Sequence, residues 1–430
     1  MKKTLIVALS ALALASCGGG NSNNNQAQNA QSPESNQTAQ QSSSAETNAP
    51  KNADGQIVLS GNIDKNVTWK DLGLPVDYIV EGSLYLDGNS LVTVEPGVTI
   101  MFAGADGRIE VGENAGIKMQ GTKDKPIVLT GPLNNQNVGA WDYVLIRSNR
   151  ADNILEYVEF KNGGAGEWLL VMDGKASIKN CTFDGASHNG VSIGQDATLT
   201  AFENNTIKNC KEYPLTFHHN EQLKNFGTGN VFEGNGKQFI NCPMRWLDAE
   251  NFEYVIHKAD IPYFYNDGFG TNGRTKVTID PGAKFALNRG TWVEFNADAI
   301  IKINGTAQEP VIFDGLEDKP GFWDGVTIDT HEDESVIQYC NFVNVGNKNS
   351  DDRAVFVGRD FECAIKNVSI SKTKAATGII FDYLDNAKKS KLADITVDNS
   401  PSGNKFLLNT TDKDDVELPA ASLADILKKL

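Results

Sequence analysis

Histidine, methionine and cysteine are scarce in this 430-residue chain, at five, five and six residues. No HExxH, CxxC, EF-hand, phosphate loop or GxSxG occurs, so the motifs that announce a zinc hydrolase, a redox pair, a calcium loop, a nucleotide site or a serine hydrolase are missing. No cofactor or metal is called for. Basic charge is also short: 39 Lys and Arg stand against 55 Asp and Glu, a net charge of −16. Such a body repels nucleic acid and anionic lipid, and it suits polyanionic substrates only where a local basic groove exists. Helical periodicity is absent until the last fifteen residues. From 18 to 54 there is no Val, Ile, Leu, Met, Phe, Tyr or Trp.

That apolar-free stretch follows the opening "MKKTLIVALSALALASC". Lys2 and Lys3 make a positive start, and residues 4–13 form an apolar core too short to span a bilayer as a helix. The segment 1–17, with small Ala15 and Ser16 before Cys17, resembles a bacterial lipoprotein signal; the alternative is a secretory signal that contains a cysteine. The resemblance implies cleavage before Cys17 and acylation of its sulfur, giving membrane attachment through two or three lipid chains. It also implies an outer-membrane address, on either face, because Gly18 replaces the aspartate that retains lipoproteins in the inner membrane. Loss of Lys2 and Lys3 with the signal brings the net charge to −18. Residues 18–54 cannot bury a core and read as an Asn/Gln/Ser-rich tether with a reach of about 35 Å.

Past residue 55 the chain says the same thing twice. "LVTVEPGVTI" at 91–100 returns as "KVTIDPGAKF" at 276–285. "GIKMQGTKDKPIVLTG" (116–131) returns as "IIKINGTAQEPVIFDG" (300–315), "WDYVLI" as "WDGVTI", and "ILEYVEF" as "VIQYCNF". The offset stays between 182 and 188, so two tandem copies, 55–245 and 246–415, are expected. Within each copy apolar residues alternate over three to six positions before Gly, Asn, Asp or Pro interrupts. The hairpin rhythm of an antiparallel meander is missing. The motif "VTVEPGVTI…GIKMQGTKDKPIVLTG" resembles the right-handed parallel β-helix repeats of bacterial cell-surface proteins, of the pectate-lyase-like kind, over about 55–408. The expected fold is therefore all-β: a right-handed parallel β-helix solenoid. Val92, Val94, Val98 and Ile100 should point inward and Glu95-Pro96-Gly97 should turn a corner. At about 22–25 residues per coil the body would hold roughly 14–16 coils and reach on the order of 70 Å.

Apart from Cys17, five cysteines remain, an odd number that cannot all pair internally. "IKNC" ends at Cys181 and Cys210, and "INC" at Cys242; spacings of 29 and 32 suggest thiols stacked at one corner with Asn180, Asn209 and Asn241 as an amide ladder. A thiol metal site or redox pair is the alternative, and a disulfide between coils stays open. Residues 416–430 place Leu423, Ile426, Leu427 and Leu430 on one helical face. This is expected to be a cap over the open end, with a partner-binding helix as the other reading.

Folds of this kind host polysaccharide lyases and glycoside hydrolases, so catalysis has to be weighed. The RxPxxR and WIDH-like segments of pectate lyases are absent, and of the polygalacturonase series NTD, DD, GHG and RIK only the isolated pairs Asp351-Asp352 and Asp414-Asp415 occur. Features found in one copy alone are better site candidates than features found in both. Arg147 and Arg150 stand where the second copy has Asp329 and Glu332; His218-His219 and Arg245-Trp246 are likewise unmatched. An Arg–Trp pair offers a stacking face and a bidentate donor to a sugar. Three functions are carried forward: a binding or adhesion platform for a glycan or an envelope protein, a carbohydrate-active enzyme, and a structural envelope component.

Overall fold

The alternation in the sequence becomes short strands wound into a right-handed parallel solenoid of about 13 turns in the computed structural model. The structure describes residues 50–248, 250–347, 352–384, 387–397, 405–410, 413–419 and 427. The segments expected to be a signal and a tether, with Cys17, lie wholly or mostly outside the described residues. One ladder of strands runs the length of the body, from residues 61–63 through Arg108–Val111, Leu215–Phe217 and Tyr263–Tyr265 to the second half of Leu392–Val397. Every pairing in it is parallel, because each strand meets its neighbour only after a full turn of the chain.

Val92, Val94, Val98 and Ile100 are all buried, and one apolar cluster extends from Ile57 to Val397 without dividing into two cores. Gly97 (φ 91°) and Gly282 (φ 78°) turn the "EPG" and "DPG" corners in the left-handed region. At another corner one residue does the turning in successive coils: Tyr157, Asn180 and Asn204 in the first half, and Tyr339, Asn367 and Asp394 in the second. All six have φ between 45° and 55°. Asn and Asp tolerate this conformation, whereas for the two tyrosines it costs about 1 kcal/mol or more.

The coils are fewer and longer than the spacing suggested. Typical partners lie 24 or 25 residues apart, but Ile117 and Asn153, bonded across neighbouring coils, are separated by 36, and Ile301 and Ser335 by 34. The extra residues form outward loops such as the one carrying exposed Leu133. About 13 turns at the strand spacing give a length of about 60 Å.

The cysteine corner is also corrected. Cys181 lies between strands Lys175–Lys179 and Thr182–Ala186, and Cys210 between Thr206–Lys208 and Leu215–Phe217. They occupy different corners, since the 29-residue spacing overshoots the 24-residue register of that region. Cys181, Cys210, Cys242, Cys340 and Cys363 are all free and buried. Burial pushes the thiols of Cys181, Cys210, Cys242 and Cys363 up to about 12, so they are inert packing groups. The amide ladder uses other asparagines. Asn205 accepts from the Cys181 N–H at 2.9 Å and donates to Ile178 at 3.1 Å, and Asn235 does the same for Cys210 and Ile207. Asn180 and Asn209 instead turn corners, with φ 55° and 58°.

At the C-terminus, Lys405–Thr410 continues the solenoid and Lys413–Pro419 folds back on it antiparallel. Strand therefore takes residues 416–419, the start of the expected capping helix. Leu427 is helical and packs against the core; the rest of that segment lies outside the described residues. No helix among the described residues is long and apolar enough to cross a membrane.

The middle of the body carries a fault. A six-stranded side sheet runs from Val67–Trp69 to Thr198–Glu203 and stops; an eight-stranded side sheet begins at Trp246–Leu247. A 3-10 turn, Asn220–Asn225, lies at the break. The two halves consequently present different sheets to solvent.

Candidate binding surface

In each half, a glutamate stands outward on a strand with the pattern x-apolar-Glu-apolar: Glu110 in Arg108–Val111 and Glu294 in Trp292–Phe295. The flanking positions alternate inward and build the core, which fixes both carboxylates on the outer face. Their surroundings differ.

Glu110 accepts from Arg108 Nε at 3.0 Å, Tyr143 Oη at 2.9 Å and Arg147 Nη1 at 2.9 Å. Burial works against its charge, but these donors outweigh it and hold the carboxyl below its ordinary value. Burial, reinforced by the adjacent Glu110, pushes the Tyr143 phenol up to about 12. Burial also raises the Asp142 carboxyl, against a hydrogen bond from the Gly166 N–H. The cluster is internally satisfied and holds no free base.

Among the described residues Glu294 has one cationic partner, Arg245, bonded through Nη2. The Arg245 guanidinium also lies 4.5 Å from the centre of the Trp246 ring. Trp246 rests on Gly270 of the next strand, where a Cβ would stand 2.4 Å from the indole. Trp292 rests on Gly325 in the same way, at 2.5 Å. Both indoles are half-buried, so a glycine beneath and solvent beyond make each a flat shelf. Two strand spacings and two residues separate them, about 12 Å along the sheet.

Of the six candidates from the sequence, the structure brings together only Arg245 and Trp246. Arg147 is tied to Glu110. Arg150 leaves the ladder for a corner, where it forms a two-pronged pair with Asp152 at 2.8 and 2.5 Å. His218 meets Ser192 Oγ at 3.1 Å and the edge of Trp168 at 5.8 Å. His219 turns the other way and accepts from the Glu221 N–H at 3.4 Å to cap the 3-10 turn. Trp292 and Glu294 were missed by comparing copies, although "TWVEF" carries a signal: Trp292 sits at an outward position of a strand, an unusual place for tryptophan. A second aromatic patch, Tyr213 stacked at 6.2 Å on Phe264 beneath Lys237, was also not legible. Among the described residues no group of three or more metal-ligating side chains occurs.

Residues 61–156 match the family model described as pectate-lyase like beta helix domain, and residues 133–244 match that of the right handed beta helix region. No curated protein and no solved structure matches the chain. Together with the strand register, these matches identify the fold of the body as a right-handed parallel β-solenoid, with the pectate-lyase-like β-helix match confined to residues 61–156.

Proposed function

We propose that the solenoid is a glycan-binding platform, displayed on the cell envelope by a lipid anchor at Cys17 and an extended tether. The observation that carries this reading is the pair of indole shelves, Trp246 on Gly270 and Trp292 on Gly325, with the Arg245–Glu294 pair beside them. Sugars stack their C–H faces on such rings and take hydrogen bonds from a guanidinium and a carboxylate. A rigid sheet holds the shelves in place, so little ordering cost opposes binding. The lyase reading gains less support. Its best basic candidate, Arg147, is paired to Glu110, whereas abstraction of a proton needs an unengaged base.

Retention of the purified protein on an array of neutral and acidic glycans, with unsaturated-product absorbance followed in parallel, tests the proposal. The expected result is retention on one glycan class, weakened about tenfold in Trp246→Ala and Trp292→Ala, with no product. Product formation would make the protein a lyase, and retention indifferent to both variants would remove the shelves from the site. Labelling of the intact chain with an alkynyl fatty acid, lost in Cys17→Ala, tests the anchor.

A further inference from the structure

Around the corner from the indole shelves, in the same coils, lies a cavity of about 570 Å³ lined by Glu253, Arg274, Thr275, Lys276, Asp298 and Glu332 among others. Its size falls in the range of small-molecule sites. Glu253 and Lys276 stand directly opposite each other on neighbouring parallel strands. Opposite charges on neighbouring coils commonly join, as Lys302 and Glu334 do nearby at 3.3 Å. Yet among the described residues none of the five charged groups lining the cavity forms an ion pair.

The second observation is Thr275. Its side-chain oxygen is buried and has no hydrogen-bond partner among the described residues, which is unfavourable in a closed protein wall. The matching residue of the first half, Ser90, donates to the carbonyls of Ile63 at 3.1 Å and Asp87 at 2.7 Å. The first half also has Leu91 where the second has Lys276. Corners that correspond in sequence are thus closed in one half and left polar, charged and unsatisfied in the other.

We propose that this cavity binds a compact zwitterion, a ligand carrying a free ammonium and a free carboxylate about one strand spacing apart. Arg274 and Lys276 take the carboxylate. Glu253 on the coil before, Asp298 on the coil after and Glu332 one coil further take the ammonium, and the Thr275 hydroxyl bonds a polar atom between them. A purely anionic ligand is excluded by the three carboxylates, and a purely cationic one by Arg274 and Lys276. A dipeptide and an amino sugar bearing a carboxylate share this chemistry.

Calorimetric titration of the full-length protein with dialanine and with muramic acid tests it, alongside N-acetyl-dialanine, dialanine amide and N-acetylmuramic acid. The expected result is saturable binding of at least one unblocked probe, weakened about tenfold or more by each block. Arg274→Ala should abolish the discrimination against the amide, and Glu253→Gln with Asp298→Asn the discrimination against acetylation. Thr275→Val should raise the melting temperature of the ligand-free protein while weakening the probe. Saturation by neither unblocked probe, or equal binding of blocked and unblocked forms, overturns the proposal. The two sites fail separately: Trp246→Ala and Trp292→Ala leave zwitterion binding unchanged, and Arg274→Ala leaves glycan retention unchanged.

Discussion

Glu110 and Glu294 occupy strands that correspond in sequence, one in the long ladder and the other in the eight-stranded side sheet, yet one sits in a closed knot of charges and the other between two open indoles. The difference begins one strand away. Where the first half has Tyr143, the second has Gly325, and only the glycine leaves room for an aromatic ring to lie flat. Arg108 of the first half becomes Trp292 in the second. The core-facing alternation is the same in both, so the scaffold tolerates opposite surface chemistry at no cost to its packing.

Buried Trp141 and Trp323 provide the hardest test of that shared scaffold. Each indole N–H donates to a carbonyl 20 residues on, to Lys161 at 2.7 Å and to Val343 at 2.8 Å. Replacing either by Ala should cost about 3–5 kcal/mol in denaturant unfolding. Equal losses in one cooperative transition are expected from a single continuous core; a separate transition for one half would break the comparison. Gly325→Val should have the next largest effect, because its side chain must displace the Trp292 ring. Glycan retention should fall about tenfold or more, while Tyr143→Gly in the first half should leave it untouched.

The smallest expected effect concerns acid. The Glu110 carboxyl is held below its unfolded value, so its contribution is present above the unfolded pKa and is lost as pH falls through the folded one. Glu110→Gln should cost about 1–2 kcal/mol at neutral pH and flatten the acid limb of the stability profile. An unchanged acid limb in Glu110→Gln would show that the cluster is not coupled to folding.

The inward residues of "LVTVEPGVTI" and "KVTIDPGAKF" were legible because strand alternation and corner Pro-Gly act within ten residues. The number of coils was not, because Ile117 and Asn153 meet only after a loop whose length the strand pattern does not reveal. The cysteines show the same limit. "IKNC" occurs at 178–181 and 207–210, but the register sends the two thiols to different corners. Of the site, Arg245-Trp246 was readable as neighbours in the chain. Glu294, 49 residues on, joins them only through two turns of the solenoid.

Sequence alone determined the parallel solenoid, the tandem echo and the acidic body, since each follows from local alternation, self-similarity or a count of charges. Tertiary structure alone decided that the side sheet changes at the middle, that Gly270 and Gly325 lie beneath indoles, and that the Thr275 hydroxyl is buried without a partner. Those outcomes depend on which residues a full turn brings one strand spacing apart. That register is set jointly by every loop along the coil, and no local pattern carries it.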